Sequence, residues 1–253
     1  MGSDIGNNTI MRLSINLNKI ALLRNQRDLE LPSVTAAART VLSAGAHGIT
    51  VHPRPDERHT RVSDVHALKQ VVAEFDAELN VEGNPQPEFL ELIAKVRPHQ
   101  VTLVPDDPSA RTSDHGWDIA ANMDFLADVI GKVHNSGARV SLFLDHDADM
   151  SMAAKAGTDA IELYTEPYAQ AFASRDTEIL NLYAQAAQQA HQFGLQVHAG
   201  HDLNLENLSA FFAAVPEILE VSIGHAFTAE ALWLGIEETT KQYLDITQQV
   251  NRI

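Results

Sequence analysis

The sequence contains no cysteine, which excludes disulfide bonds, thiolate metal sites and cysteine nucleophiles. It also has no uninterrupted run of about 18 apolar residues, so no membrane-spanning helix is predicted. Its hydrophobic fraction of 45% and charged fraction of 21% are typical of a globular protein. These features fit a cytoplasmic protein, which is the location that we expect.

Positive charge is scarce, since 18 lysines and arginines stand against 34 acidic residues and leave a net charge of −16. A chain of this charge is repelled by nucleic acid and by anionic lipid, so neither is expected as a partner. A site for an anionic small molecule would have to gather its cations locally.

The first ten residues, MGSDIGNNTI, have neither the basic start nor the apolar centre of a signal peptide. We interpret residues 1–10 as a disordered leader or an added extension. Residues 11–253 are predicted to form a single catalytic domain, because one pattern repeats along them without an obvious linker.

That pattern is a short β-rich run, a polar loop and an amphipathic helix. The eight runs occupy 12–18, 47–53, 78–84, 100–105, 139–145, 160–165, 196–202 and 220–226. Four helix-to-strand junctions contain a glycine that can end a helix in the left-handed conformation, at Gly45, Gly137, Gly157 and Gly194. The repeat predicts an α/β fold, a single parallel (β/α)8 barrel, and a doubly wound open sheet is the alternative.

A parallel barrel carries its active site at the carboxyl ends of its strands. In this sequence those ends are rich in histidine, carboxylate and amide side chains, which predicts an enzyme. The residues are Asn16, Asn18, Lys19, His52, Arg54, Glu82, Asn84, Asp145, Asp147, Glu162, His198, His201, Gly224 and His225.

Each of these residues also has a simpler interpretation when it is taken alone. His52 would then be an ordinary hydrogen-bonded histidine, and Glu82 a salt-bridged structural carboxylate. Partial burial at the barrel mouth would instead raise the pKa of Glu82 into the range of a general base. His201 and His225 each follow a glycine at the ends of strands 7 and 8, where barrels often bind phosphate, although those glycines also suit simple turns.

Cationic side chains gather in the loops after the first two strands, which suggests capture of an anion. They are Arg24, Arg27, Arg54, Arg58, His59 and Arg61. Solvated surface charge is the alternative for Arg58 and Arg61.

A metal site is not expected, although Asp145, His146 and Asp147 lie together and two histidines lie near the end of strand 7. His198 and His201 are three residues apart on an extended segment, so we expect their side chains to point to opposite sides.

The segments around these residues resemble the pyridoxine 5'-phosphate synthase family along nearly all of residues 11–247. The matching motifs are N-x-N-K-I-A-x-L-R-N-x-R (16–27), G-I-T-V-H-x-R-x-D-x-R-H (48–59), N-V-E (80–82), L-V-P (103–105), S-L-F-L-D (141–145), A-G-H-x-L (199–203) and I-G-H-A (223–226). The resemblance implies a cofactor-free condensation of 1-deoxy-D-xylulose 5-phosphate with 3-amino-2-oxopropyl phosphate. It also implies a homo-oligomer, an octamer built from dimers.

By matched position, the resemblance implies that His52 and Glu82 are general bases and that His201 is a general acid. The positions that match residues holding the deoxyxylulose phosphate are Arg54, His59 and Thr112. Those that match residues holding the aminoacetone phosphate are Asn16, Arg27, Gly224 and His225.

Three departures from the family pattern bear on the site. Asn18 and Lys19, also expected to contact substrate, stand where Asp-His is common. His198 replaces a common asparagine, and Asp202 replaces a common glycine.

Two other functions stay open from the sequence alone. Lys19 could be the nucleophile of a Schiff-base aldolase or a related lyase, because a desolvated lysine in a barrel attacks carbonyl groups. Alternatively, the barrel could bind a sugar phosphate, or serve as an assembly scaffold, without catalysis.

Overall fold

The computed structural model describes residues 11–106, 113–176 and 178–250. Residues 1–10, which we predict to be a leader, and Thr112, a predicted substrate contact, therefore lie outside the described residues.

Eight parallel strands close into a barrel in sequence order, and the last strand pairs with the first. The strands are β1 (Arg12–Asn16), β2 (Gly48–Val51), β3 (Glu78–Gly83), β4 (Gln100–Leu103), β5 (Arg139–Leu144), β6 (Ala160–Tyr164), β7 (Gln196–His201) and β8 (Ile218–Ile223). The predicted (β/α)8 barrel is confirmed, and the closed strand order is incompatible with the doubly wound alternative.

Helices surround the barrel and connect each strand to the next. Those in the described part of the chain are α1 (Asn18–Arg24), α2 (Val34–Ser43), α3 (Val62–Glu74), α4 (Pro87–Val96), α5 (Ile119–His134), α6 (Met150–Ala156), α7 (Glu166–Ala173), α8 (Glu178–Gln192), α9 (Leu208–Ala214), α10 (His225–Leu234) and α11 (Ile236–Val250). Over the described residues, no helix combines the length and the apolar character needed to cross a membrane.

The helix ends have local causes in the sequence. Asp118 and Asp149 accept hydrogen bonds from first-turn N–H groups of α5 and α6, as N-cap residues do. At the four junctions identified in the sequence, every glycine has a positive φ, between 78° and 109°. The prediction that these glycines take the left-handed conformation is confirmed.

The apolar core lies between the barrel and its helices. Leu13 and Ile15 alternate with Ser14 along β1, and both are fully buried against the helical layer. On α3, Val65, Leu68 and Val72 recur at helical spacing and pack into the same core.

The interior of the barrel is polar rather than filled with branched apolar side chains. In its middle layer Ser14 and Thr50 share a hydrogen bond of 2.7 Å, and the Thr102 hydroxyl donates to Asn80 at 3.2 Å. These hydrogen bonds within the layer provide partners for polar groups that would be costly to bury without one.

Charged residues form the floor of the barrel at the amino ends of the strands. Arg12 contacts Glu78 at 2.9 Å and Glu220 at 3.1 Å, while Arg139 contacts Glu78 at 2.6 Å. Because these charges alternate in sign, the floor is largely neutralised within itself. The carboxyl ends of the strands therefore lie above a polar layer whose charges are paired with one another.

Candidate active site

A cavity of about 460 Å³ opens at the carboxyl ends of the strands. Its lining comes from the strand ends and the loops that follow them, and it brings together imidazoles, carboxyl groups and cations. The lining residues are Asn16, Asn18, Lys19, His52, Arg54, His59, Glu82, Val104, Ser113, Asp114, Phe143, Glu162, Tyr164, Glu166, His201, Asp202, Ser222, Gly224 and His225.

The cavity gathers nearly all of the site residues that were predicted from the sequence. Among the described positions assigned to catalysis or substrate binding, Arg27 is the exception, because it lies exposed in the turn after α1 and does not line the cavity. Of the other strand-end residues, Asn84, Asp145, Asp147 and His198 do not line it either. Thr112 cannot be placed, since it lies in the segment that the structure does not describe.

Asn16 and Asn18 organise the wall formed by β1 and β2. The Asn18 side-chain oxygen accepts the N–H of His52 at 2.8 Å and the hydroxyl of Thr60 at 2.9 Å. Asn16 donates its amide to the Glu82 carboxylate at 3.3 Å. A carboxylate at position 18 could accept the same two bonds, so the Asn18 departure preserves this contact with the β2 loop.

His52 and His59 form a pair of buried imidazoles, with ring centroids 6.0 Å apart. Burial lowers the pKa of His52 to about 3, and the neighbouring His59 and Arg54 add to the shift. Burial also lowers the pKa of His59 to about 4, and Arg54 and Lys19 add to the shift. Both rings are therefore neutral near pH 7, the state in which an imidazole accepts a proton.

Glu82 and Glu162 have the opposite shift. Burial raises the pKa of Glu82 well above its usual range, and the negative charges of Glu162 and Asp106 raise it further. Burial and the nearby Glu220 raise the pKa of Glu162 to about 7, although the Thr102 hydroxyl donates to it at 3.3 Å. A carboxyl with the pKa of Glu162 can gain and lose protons near neutral pH, and the raised pKa of Glu82 favours its protonated form.

A buried salt bridge stabilises the part of the cavity wall that is formed by the loops after β2 and β4. Arg54 and Asp106 are each 4% exposed, and their nitrogen and oxygen atoms are 2.8 Å apart. The same Asp106 oxygen accepts the Ser113 hydroxyl at 2.9 Å. The pair fixes the Arg54 guanidinium at the cavity edge rather than leaving it to move with solvent.

The two glycines that were considered for phosphate binding make room for side chains of the cavity. A Cβ atom on Gly200 would lie 2.3 Å from a Glu162 carboxylate oxygen. A Cβ atom on Gly224 would lie 3.1 Å from the Asn16 side chain. Gly224 is also the N-cap of α10, and it offers no side chain to the first-turn N–H groups of this helix, whose first residue, His225, lines the cavity with Gly224.

His201 reaches the cavity through an unusual backbone conformation. Strict alternation along β7 would direct His198 inward and His201 outward, which was the basis for expecting opposite sides. His201 instead has a φ of 95°, and its side chain lines the cavity. His198 lies deeper inside the barrel, with its ring nitrogen 3.4 Å from the Gln100 amide. The expectation of opposite sides was therefore wrong.

Arg24 does not serve anion capture at the cavity, contrary to the expectation from its position after β1. It is buried, and its guanidinium donates to the Asp64 carboxylate at 2.9 Å. Because Asp64 lies 40 residues away in the sequence, no local pattern indicates this pair. Arg58 and Arg61 lie in surface ion pairs with Asp56 and Glu30, as the alternative interpretation proposed.

Several lining residues were not among the predicted site residues. Phase along the strands could have identified Phe143 and Tyr164, because each alternates with outward-facing apolar residues on β5 or β6. Glu166 and Asp202 lie just after strand ends, where no pattern in the sequence distinguishes a cavity residue from a loop residue. Among the described residues, no group of three or more histidines and carboxylates is placed to hold a metal ion.

The fold and the cavity define an enzyme class: a (β/α)8 barrel that combines neutral imidazoles, proton-exchanging carboxyls and anchored cations at its catalytic face. Residues 13–249 match the family described as "Pyridoxal phosphate biosynthesis protein PdxJ". The chain belongs to this family, which confirms the resemblance.

Curated relatives agree with this assignment over almost the whole chain. A pyridoxine 5'-phosphate synthase of Porphyromonas gingivalis is 52% identical over 235 residues, covering 92% of this chain and 98% of that one. A protein of the same name from Xanthomonas oryzae is 51% identical over 245 residues, covering 93% and 96%.

More distant solved structures share the fold alone. A thiamine phosphate pyrophosphorylase from Pyrococcus furiosus superposes with a TM-score of 0.63 at 14% identity, covering 96% of this chain and 98% of that one. A phosphoribosyl anthranilate isomerase from Thermus thermophilus gives 0.60 at 14% identity, covering 94% and 99%.

The salt bridge between Arg54 and Asp106 leads to a stability prediction. Asp106→Asn removes a buried countercharge of the Arg54 guanidinium, so the free energy of unfolding should fall by about 3 kcal/mol. Asp56→Asn is the matched control, because its ion pair with Arg58 is largely exposed and should contribute less than about 1 kcal/mol. Urea unfolding of both variants measures the difference. Equal losses would contradict the structural role assigned to the buried pair.

Proposed function

We propose that the chain is a pyridoxine 5'-phosphate synthase that condenses 1-deoxy-D-xylulose 5-phosphate with 3-amino-2-oxopropyl phosphate. The products are pyridoxine 5'-phosphate, inorganic phosphate and water, and we place the enzyme in the transferase class. The observation that carries the proposal is the set of neutral imidazoles and raised-pKa carboxyls in one cavity of a chain from this family.

The proposed reaction consists of steps that these residue types can perform. Amine addition to a ketone, dehydration, enamine formation, phosphate loss and ring closure all need repeated proton transfers near neutral pH. A neutral His52 is suited to accept a proton, and Glu82 is suited to be the second base. We assign the donating step to His201. These transfers require no cofactor.

Two parts of the cavity are suited to anionic groups. Lys19, Arg54 and His59 lie on the side formed by β1, β2 and their loops, and we propose that they hold the deoxyxylulose phosphate together with Thr112. On the other side of β1, the N-terminus of α10, which follows the neighbouring strand β8, brings Gly224 and His225 to the cavity. A helix N-terminus attracts phosphate through its N–H groups and its dipole, so we assign the aminoacetone phosphate to this side.

Asn16 and Arg27 complete the proposed set of contacts with the aminoacetone phosphate. Asn16 lies against Gly224, which supports its assignment. Arg27 lies outside the cavity of its own chain, so its role rests on the resemblance alone.

Lys19 is better suited to bind phosphate than to form a Schiff base. It is the second residue of α1, beyond the end of β1, and it lines the cavity together with Arg54 and His59. A charged ammonium attracts phosphate, whereas a Schiff-base lysine needs a neutral amine. We therefore assign Lys19, with Asn18, to substrate binding.

Replacement of Glu82 tests the proposed mechanism. Glu82→Gln keeps the shape of the side chain but cannot accept a proton, so turnover should fall by roughly 10²- to 10⁴-fold with the fold intact. Formation of pyridoxine 5'-phosphate from the two substrates, followed by absorbance, measures turnover. Glu91→Gln is the control on the exposed face of α4 and should retain wild-type turnover.

Two results would contradict this assignment. Wild-type turnover in Glu82→Gln would remove Glu82 from the mechanism. Absence of product from the folded wild-type protein at every pH between about 6 and 9 would contradict the synthase itself, because the proposed proton transfers take place near neutral pH.

We further propose that the chain assembles into a homo-oligomer, an octamer by family resemblance. An apolar segment at the end of α10 supports an interface, since Leu232, Trp233 and Leu234 are 69%, 86% and 43% exposed. A fully hydrated tryptophan between two leucines is unusual on a monomer and is typical of association surfaces.

Trp233→Ser should lower the oligomeric state, because it removes most of the apolar area of this segment. Light scattering coupled to size exclusion gives the mass at several concentrations. Phe193→Ser is the control, as Phe193 is also exposed but follows α8 on another part of the surface. A wild-type monomer would contradict the oligomer, and an unchanged mass of the Trp233 variant would contradict this interface.

The remaining assignments of the sequence analysis stay predictions. We expect the protein to be cytoplasmic and residues 11–253 to form one catalytic domain. Apart from other copies of the chain, we expect its partners to be small phosphorylated substrates.

A further inference from the structure

His201 is held in a backbone conformation that needs support from its surroundings. Its φ of 95° lies in the left-handed half of conformational space, which a residue with a side chain rarely occupies. Such a conformation costs on the order of 1–3 kcal/mol and persists only where neighbouring groups determine it. This backbone conformation directs the imidazole into the cavity rather than toward the helical layer.

Hydrogen bonds of the backbone fix the turn around this residue. The buried Thr165 hydroxyl donates to the carbonyl of Gly200 at 2.6 Å, on one side of His201. On the other side, the N–H of Asp202 donates to the same hydroxyl at 3.4 Å. The Asn207 amide donates to the carbonyl of Asp202 at 3.2 Å. The Asp202 side chain takes part in none of these bonds.

Two other groups fix the imidazole ring itself. The Tyr164 ring meets it edge to face, with centroids 5.1 Å apart and planes at 82°. The Asp202 carboxylate contacts the Nδ1 atom of His201. The Tyr164 hydroxyl is directed elsewhere, because it donates to Glu166. Tyr164 therefore sets the tilt of the ring, and Asp202 is the carboxylate that contacts one of its nitrogens.

We infer that Asp202 is a positioning residue that orients the His201 imidazole and keeps a proton on Nδ1, so that Nε2 is the nitrogen that exchanges protons with the substrate. An ionised carboxylate can only accept hydrogen bonds, so its contact requires an N–H at Nδ1. This inference rests on the proposed function, in which His201 is the general acid. Asp202, which stands where the family commonly has glycine, would then affect catalysis through His201.

The chemistry resembles the way a buried aspartate orients the histidine of a serine-protease triad. The aspartate holds one tautomer and stabilises the imidazolium that donates a proton from the other nitrogen. The Asp202 side chain is 34% exposed, so its effect should be smaller than the roughly 10⁴-fold effect of the protease aspartate.

Asp202→Asn isolates the carboxylate, because the two backbone bonds of residue 202 do not involve the side chain. The asparagine amide can donate to Nδ1 and thereby favour the wrong tautomer. We expect kcat to fall by roughly 10- to 100-fold, while KM for each substrate changes by less than about 2-fold. Asp202→Glu, which keeps the carboxylate, should retain more of kcat than the asparagine variant.

The matched control is Asp124→Asn, which removes the same charge from the exposed face of α5. It should leave kcat and KM unchanged. A purely structural role of Asp202 would lower the thermal unfolding temperature of Asp202→Asn without this division between kcat and KM.

A second measurement does not depend on turnover. Nitrogen-15 spectra of histidine-labelled protein, with the His201 signals assigned through His201→Gln, report which ring nitrogen carries the proton. The wild type should show the proton on Nδ1, and Asp202→Asn should shift it toward Nε2. Identical spectra of the two proteins would overturn the inference.

The two measurements separate failure of the inference from failure of the proposed function. If His201→Gln is inactive and Asp202→Asn is fully active, the positioning role is wrong and the synthase assignment stands. If the wild type forms no product, the synthase assignment fails. The positioning of the ring is then decided by the nitrogen spectra, where the expected tautomer shift supports it and its absence overturns it.

Discussion

Glu82 and Glu162 lie together at the mouth of the barrel, with few positive charges to stabilise their ionised forms. The free energy of ionising these two buried carboxyls determines the chemistry of the site. Burial raises the pKa of both carboxyls, and each is exposed to the negative charge of other buried carboxylates. The same lack of solvation lowers the pKa of His52 and His59. Desolvation thus favours the neutral form of both kinds of group, so that the imidazoles can accept protons and the protonated carboxyls can donate them.

The rest of the barrel allows this cluster to exist. Hydrogen bonds through the middle layer and alternating charges at the floor satisfy part of the polar interior without supplying a cation to Glu82 or Glu162. The cations of the mouth are placed at its rim instead, where Arg54 is anchored by Asp106. Phosphate groups at the rim would bring two reactants together above the acid–base groups, and proximity of this kind is itself a large contribution to rate.

Periodic features of the sequence predicted much of this arrangement. The strand pattern located all eight strands, the four junction glycines took the expected conformation, and His52 and Glu82 came together because parallel strand ends meet at one face. Features that depend on distant partners were missed. Arg24 pairs with Asp64 across 40 residues, and His201 enters the cavity through a φ that no side-chain alternation predicts.

Titration of the Glu162 carboxyl tests most directly whether desolvation governs the site. Carbon-13 spectra of glutamate-labelled protein, recorded between about pH 4 and 9, would follow this carboxyl, and the spectrum of Glu162→Gln would assign its signal. The account predicts a midpoint at about 7, with the carboxyl protonated below it and ionised above it. A midpoint at the ordinary value of 4.5 would contradict the account, because Glu162 would then be an ionised structural carboxylate throughout the working pH range.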